Sequence, residues 1–360
     1  MMTLLIVFEL ATGLDRKLLV QKNIYVVIGC DSDPDRANLI GNLTANTLSW
    51  RGMLEGVPRA RERLQQIHDS DGRMPVFTWC LRVDYQIKRF YGTYNYFLKE
   101  HKDFLLDLEK EGDELGWHPH FWNYDEALDI WYQDCFNIEW QVQMLKEAHA
   151  AYLEIFPGRA RSVRMGWDYH NNHTFATLQE LGVEVDFSGI PGLQIQPQNE
   201  RIRSANFFDW SLSPNRPYYP AKADYRREAK QGEPAFSLLE SPSFVCKSFI
   251  WGIISGLVLA KKMRDPMPFL RSLRKPTYWI NITGKPSYFK PLIAQVERTL
   301  RATNKIVFVT YFHPDELIDN NSPLYSLDYM EDNIRLLVKT AKRLGANTKF
   351  IRAGEIKEYT

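Results

Sequence analysis

The stretch Ile24-Tyr25-Val26-Val27-Ile28-Gly29, followed at once by Cys30-Asp31-Ser32-Asp33-Pro34-Asp35, decides how the chain is read. A short run of β-branched and apolar residues that ends in a polar, Asp- and Pro-rich turn has the signature of a β-strand. Outward from it, residues 51–68 read as a charge-studded helix, 75–83 as a second strand, 102–112 as a helix and 114–120 as a third strand. The pattern continues with a helix over 139–156, a strand over 162–165, a helix over 174–181 and a strand over 183–187. After an irregular region rich in Pro, Tyr and Arg, it resumes with a helix at 288–303, a strand at 305–312, a helix at 332–344 and a short strand at 348–352.

Strands that alternate with helices predict an α/β fold with a mostly parallel sheet, open or closed into a barrel, and ligands at the carboxyl ends of the strands. No internal repeat interrupts the pattern. The expected organisation is an N-terminal extension over 1–23 and a single domain over 24–360, with an irregular insertion at about 194–242.

The 360 residues are 44% hydrophobic and 25% charged, which is an ordinary globular composition and excludes disorder, collagen-like repeats and a heptad rod. Forty-five basic residues against 44 acidic leave a formal charge of +1, so no global field draws the chain to nucleic acid or to an anionic bilayer. Any such partner has to be met by a local patch. The four cysteines lack the spacing of a zinc ribbon or a disulfide scaffold, and the apolar opening at 1–8 makes a poor export signal, so a cytoplasmic location is expected. The longest apolar stretch, 248–260, falls short of the roughly 20 residues that cross a bilayer and reads as a buried helix without stable membrane insertion.

The chemistry gathers at the predicted strand ends. Asp31 and Asp33 alternate by two, so in an extended segment both face one site, although Asp and Pro also build turns for purely local reasons. His118 and His120, in Gly116-Trp117-His118-Pro119-His120-Phe121-Trp122, share a face by the same period. Two imidazoles and a carboxylate form a standard ligand set for catalytic zinc. Arg164, in Arg164-Met165-Gly166-Trp167-Asp168, suits a partner for a catalytic carboxylate, and His313, in Thr310-Tyr311-Phe312-His313-Pro314-Asp315, suits a proton donor. Taken singly, each reads equally well as a surface ion pair or a satisfied core imidazole.

Together, the order Asp-x-Asp, His pair, Arg-x-Gly-Trp and a last His resembles the NodB-homology polysaccharide deacetylases of carbohydrate esterase family four, over most of the chain from about residue 24 to residue 356. The resemblance implies a distorted (β/α) barrel and metal-dependent hydrolysis of an N-acetyl group on an amino sugar. Asp31 would be the general base. Asp33, His118 and His120 would hold a divalent metal, zinc by ligand type, and Arg164 would orient the base. His313 would be the general acid, and Asp186 the acid that orients it. Glu114-Leu115-Gly116-Trp117-His118 matches the start of the family's second motif. The family spaces its histidines four apart, where this chain has two, and Ser32 separates carboxylates that are usually adjacent.

The expected partner is an N-acetylated carbohydrate and not nucleic acid. Trp122, Trp167, Tyr218 and Tyr219 are candidates to stack on sugar faces, as are Trp117 and Trp210, and each could equally be a core aromatic. Asp-x-Asp after an apolar strand also suits a metal-dependent glycosyltransferase, but only 30 residues precede Asp31. A phosphatase using that motif would leave the histidines unexplained. A non-catalytic glycan-binding protein would need neither a base nor an acid.

Overall fold

The computed structural model describes residues 21–35, 48–195, 207–263, 266–318 and 323–360. Of the extension read over 1–23 and the insertion read over 194–242, residues 1–20 and 196–206 lie outside these. Lys22 and Asn23 already belong to the first strand.

Eight strands form one parallel sheet. They are β1 (Lys22–Ser32), β2 (Thr78–Arg82), β3 (Glu114–His118), β4 (Ser162–Val163), β5 (Val185–Asp186), β6 (Leu239–Glu240), β7 (Lys305–Phe312) and β8 (Ala346–Phe350), in the order β6-β5-β4-β3-β2-β1-β7. β1 is the hub. One edge pairs with β7 from Asn23 to Cys30, while the other meets β8 over Lys22–Val26 and then β2 over Gly29–Ser32. The parallel crossovers carry the helices α1 (Val57–Leu64), α2 (Tyr85–Tyr91), α3 (Lys102–Lys110), α4 (Ile138–Ile155), α5 (Asn172–Glu180), α6 (Phe249–Met263), α7 (Met267–Arg274), α8 (Pro286–Ala302) and α9 (Leu327–Arg343). The result is a distorted (β/α) barrel: the alternation predicts its parallel sheet, and the resemblance implies its closure.

Strand alternation divides the core in two. Ile24, Val26, Ile28 and Cys30 of β1 face the helices and join the large core with Trp79, Leu81, Trp117, Val163, Phe308 and Phe312. Tyr25 and Val27 face the inside of the curl, with Cys80, Val185, Phe187, Val307 and Val309. The inner space is narrow: a Cβ on Gly29 would stand 2.6 Å from the Phe187 ring, so only glycine fits there.

Two expectations change. Leu239–Glu240, inside the stretch read as an insertion, is a strand of the main sheet and pairs with Val185 and Asp186. The apolar segment 248–260 does form a helix, α6, but it is not buried: Phe249, Ile250, Ile254, Leu257 and Val258 are 43–69% exposed. The residues that α6 buries are its small ones, Gly252 and Gly256, and at Gly252 Pro276 lies too close to admit a larger one: a Cβ there would stand 2.5 Å from it. No helix among the described residues is long and apolar enough to cross a membrane.

Candidate metal and catalytic site

The inner parity that buries Tyr25 and Val27 carries on to the strand ends, where polar residues take over. Asp31 continues the inward series of β1, Arg82 that of β2, His118 that of β3, and Tyr311 and His313 that of β7. Separate strands therefore deliver their polar ends to one place.

Asp33, His118 and His120 form a buried tripod. Nε2 of His120 lies 3.0 Å from Nε2 of His118 and 3.5 Å from Oδ1 of Asp33, and Nε2 of His118 lies 3.7 Å from Oδ2 of Asp33. Donors bound at about 2.0–2.2 Å to a tetrahedral cation stand roughly 3.3–3.5 Å apart, so the tripod fits a single small divalent ion. The tautomer fits too. Nδ1 of His118 donates to the carbonyl oxygen of Arg164 at 2.5 Å, which leaves the Nε2 lone pair for a metal. Burial, followed by the charge of Arg82, pushes His120 down to about 3, so its imidazole is neutral and able to ligate. Burial resists ionisation of Asp33, but Arg82 and the two histidines overcome it and hold the carboxyl well below its usual range.

Arg82 is completely buried and ties this tripod to the fold. It donates to Asp33 Oδ1 at 2.5 Å and to Gln86 Oε1 at 2.7 Å, and it pairs with Asp84. Asp84 in turn caps α2 through the Ile87 N–H and accepts the His120 N–H at 3.1 Å. His120 is also packed hard against Gly166, where a Cβ would come within 2.1–2.3 Å of the imidazole ring. Gly166→Ala is therefore expected to push His120 off the tripod and weaken its affinity for an added divalent ion about 10–100-fold, the usual scale for supporting-residue changes, as read by competition with a chromophoric chelator. Unchanged affinity would show that the ring can shift and still ligate.

Arg164 anchors the other half of the site. Its Nε reaches both oxygens of Asp31, at 2.8 and 3.0 Å, Nη1 donates to the Phe187 carbonyl at 2.9 Å and Nη2 to Asp168 at 2.7 Å. Its face lies 3.6 Å from the centroid of the Tyr311 ring. Asp31 Oδ1 is left without an aligned hydrogen bond. Asp168 and its neighbour Trp167 have left-handed backbone, φ 56° and 58°, in a turn braced by the Trp210 indole N–H on the Asp168 carbonyl.

Burial pushes Asp168 up to about 6, against the pull of Arg164. The unfolded carboxyl titrates near 3.9, so the native state holds this proton more tightly. That contribution is complete below about pH 4 and is lost as pH rises through about 6. Wild-type unfolding free energy should thus fall by roughly 2–3 kcal/mol more than that of Asp168→Asn between pH 4 and pH 7. Parallel denaturant curves for the two proteins at both pH values would contradict this.

His313 stands across from Asp31, with Nε2 3.8 Å from Oδ2. Its carboxylate partner is Glu316, not Asp186. Glu316 lies 3.6 Å from His313 Nδ1, accepts the His313 N–H at 3.3 Å, and is held by Thr283 at 2.5 Å and Asn281 at 3.3 Å. Asp186 falls between the inward Val185 and Phe187, so strand alternation turns it away from the site to His170, 2.8 Å distant, while Glu240 packs against it. Tyr218 is buried as well. Its hydroxyl donates to the Tyr225 carbonyl and its main chain pairs with Glu240, which places it in the sheet flank and not on a substrate loop. Tyr219 is 43% exposed. Trp122 and Trp167 do meet beside the tripod, edge to face at 5.1 Å, and Trp122 lies parallel to His120.

Sequence reasoning missed Arg82, Asp84, Asp168 and Glu316. Only Glu316 carried a local signal. It stands three residues after His313, with Pro314 between, in the pattern of a helix N-terminus whose third residue reaches back to the first.

No protein-family model and no curated protein matches the chain. Seven solved chains do. A provisionally named glycoside hydrolase/deacetylase from Parabacteroides distasonis is 15% identical, with a TM-score of 0.54 over 94% of this chain and 71% of that one. A provisionally named polysaccharide deacetylase from Mycobacterium smegmatis is 14% identical, with a TM-score of 0.46 over 94% of this chain and 90% of that one. At such identities the likeness is one of fold: the chain has the distorted (β/α) barrel of the Parabacteroides distasonis glycoside hydrolase/deacetylase structure.

Proposed function

We propose that this chain hydrolyses the N-acetyl group of an amino sugar in a glycan or glycan precursor, with a divalent cation, zinc by donor type, held by Asp33, His118 and His120. One observation carries the reading: the buried tripod has an arginine-held carboxylate and a carboxylate-backed imidazole beside it, within 4.0 Å of one another along the chain His118, Asp31, His313. A binding protein has no use for that base and acid pair.

A divalent ion bound there supplies Lewis acidity, bringing the pKa of water from about 15.7 towards about 7. Asp31 receives the proton of the attacking water. Arg164 keeps its carboxylate aimed, because three of the guanidinium's directions and one face are already committed. As the new C–O bond forms and the C–N bond breaks, His313 in its protonated form delivers a proton to the departing amine, and Glu316 stabilises the imidazolium. The main-chain N–H of Trp167 is the proposed donor to the carbonyl oxygen, and Trp122 with Trp167 offers an aromatic corner for a sugar face. The products are acetate and a free amino sugar.

The test is release of primary amine and acetate from N-acetylated oligosaccharides by the zinc-loaded chain, and its loss on chelation. A metal-loaded, folded protein that releases neither from any N-acetyl sugar offered would end the proposal.

A further inference from the structure

The α6–α7 hairpin is built inside out. A helix on a soluble protein turns its large apolar residues inward, but α6 buries Gly252 and Gly256 and presents Phe249, Ile250, Ile254, Leu257 and Val258 to solvent. From Ile250 these recur at four, seven and eight residues, one face of an α-helix. α7 continues the theme with Leu270 and Leu273, 48% and 43% exposed. Contiguous apolar surface of this kind marks an interaction site.

Charge identifies what covers it. Between residues 247 and 275 the sequence has seven basic residues and one acidic, an excess of six in a chain whose whole formal charge is +1. Lys247, Arg274 and Lys275 stand at one end of the hairpin and Lys261 at the other, all exposed. The end of α7 returns to the start of α6, since Pro276 packs on Gly252. Large apolar residues on a short helix, bracketed by lysine and arginine, match a surface that lies in the headgroup layer of a membrane. A second copy fits poorly, because a two-fold contact would set one such basic cluster against another.

We propose that the α6–α7 hairpin docks peripherally on an anionic lipid bilayer, its apolar side chains at the acyl boundary and its lysines and arginines on the lipid phosphates. This local patch does what the near-neutral chain as a whole cannot. The hairpin's neck is closed by the main-chain pair Cys246–Tyr278, and the next residue, Trp279, stacks on Tyr311 at 5.5 Å. Tyr311 lies under Arg164. The docking element thus grows from the rim that carries the catalytic cleft, although the proposal does not depend on what that cleft does.

The experiment is co-sedimentation of the full chain with phosphatidylcholine vesicles, with and without about one third phosphatidylglycerol. The chain should sediment with the anionic vesicles and bind neutral ones at least about tenfold more weakly. Ile250→Ser with Leu257→Ser should lower binding by about tenfold or more. Lys261→Gln with Arg274→Gln should lower it roughly fivefold for each charge removed. All four positions are exposed, so thermal melting and zinc binding should stay as in the wild type. Absence of vesicle binding, or binding that neither double variant alters, would overturn the proposal. So would a concentration-dependent dimer that Ile250→Ser with Leu257→Ser dissolves, since a second copy would then cover the face.

Discussion

Asp31→Asn should abolish amine release, by about 10²–10⁴-fold for loss of a general base, or about 3–5 kcal/mol in the barrier, while zinc content stays at the wild-type level. The separation of these two outcomes follows from the geometry. Asp31 is 4.0 Å from the near nitrogen of His118 and outside the tripod, and its nearest partner is Arg164. Asparagine preserves the shape and retains an oxygen for the guanidinium, but it cannot take a proton from water. Removing a charge next to buried Arg164 also carries a folding cost, which the remaining pair with Asp168 and the contact with Tyr311 limit. A melting curve is therefore the control. If the folded variant lost its zinc, Asp31 would be a ligand, and if it kept its rate, the base would lie elsewhere.

His118→Ala should remove both metal and activity. The tripod has three donors, and loss of one leaves two, too few to retain a small divalent ion against water and chelators. Affinity should fall at least about 100-fold, more than the effect of disturbing a supporting residue, and turnover should fall in parallel. Elemental analysis of the purified protein reads this directly, and added zinc in large excess should restore little of the rate. Retention of one ion per chain by the folded variant would place the metal elsewhere. The pair of variants separates roles that either alone would confuse: the first leaves the ion and removes proton transfer, the second removes the ion.

The candidate site was legible wherever its residues sit on a strand end. Asp31, Asp33, His118 and His120 announce themselves by a spacing of two, and Arg164 and His313 by closing successive apolar runs. The two-residue histidine spacing, half the usual interval, still delivers both imidazoles to one place beside Asp33, because β3 stays extended to His118 and the ring of His120 is pressed inward over Gly166. Asp186 stands apart from the cluster for the same reason that the others gather in it. One residue of parity separates it from the interior, and a two-residue strand gives too short a pattern to assign its phase. The 248–260 segment misled differently: hydrophobicity reports that side chains avoid water, not which phase receives them, and only Pro276 against Gly252 shows that the small face turns inward.

Sequence alone determined the parallel alternation of strands and helices and the residue types at the strand ends, because periodicity and turn chemistry are local properties that each segment carries within itself. Tertiary structure decided which of those residues meet. The pairing of Arg82 with Asp33, Arg164 with Asp31, and Thr283 and Asn281 with Glu316 joins side chains that are far apart along the chain, and such contacts exist only once the sheet has curled and buried them together.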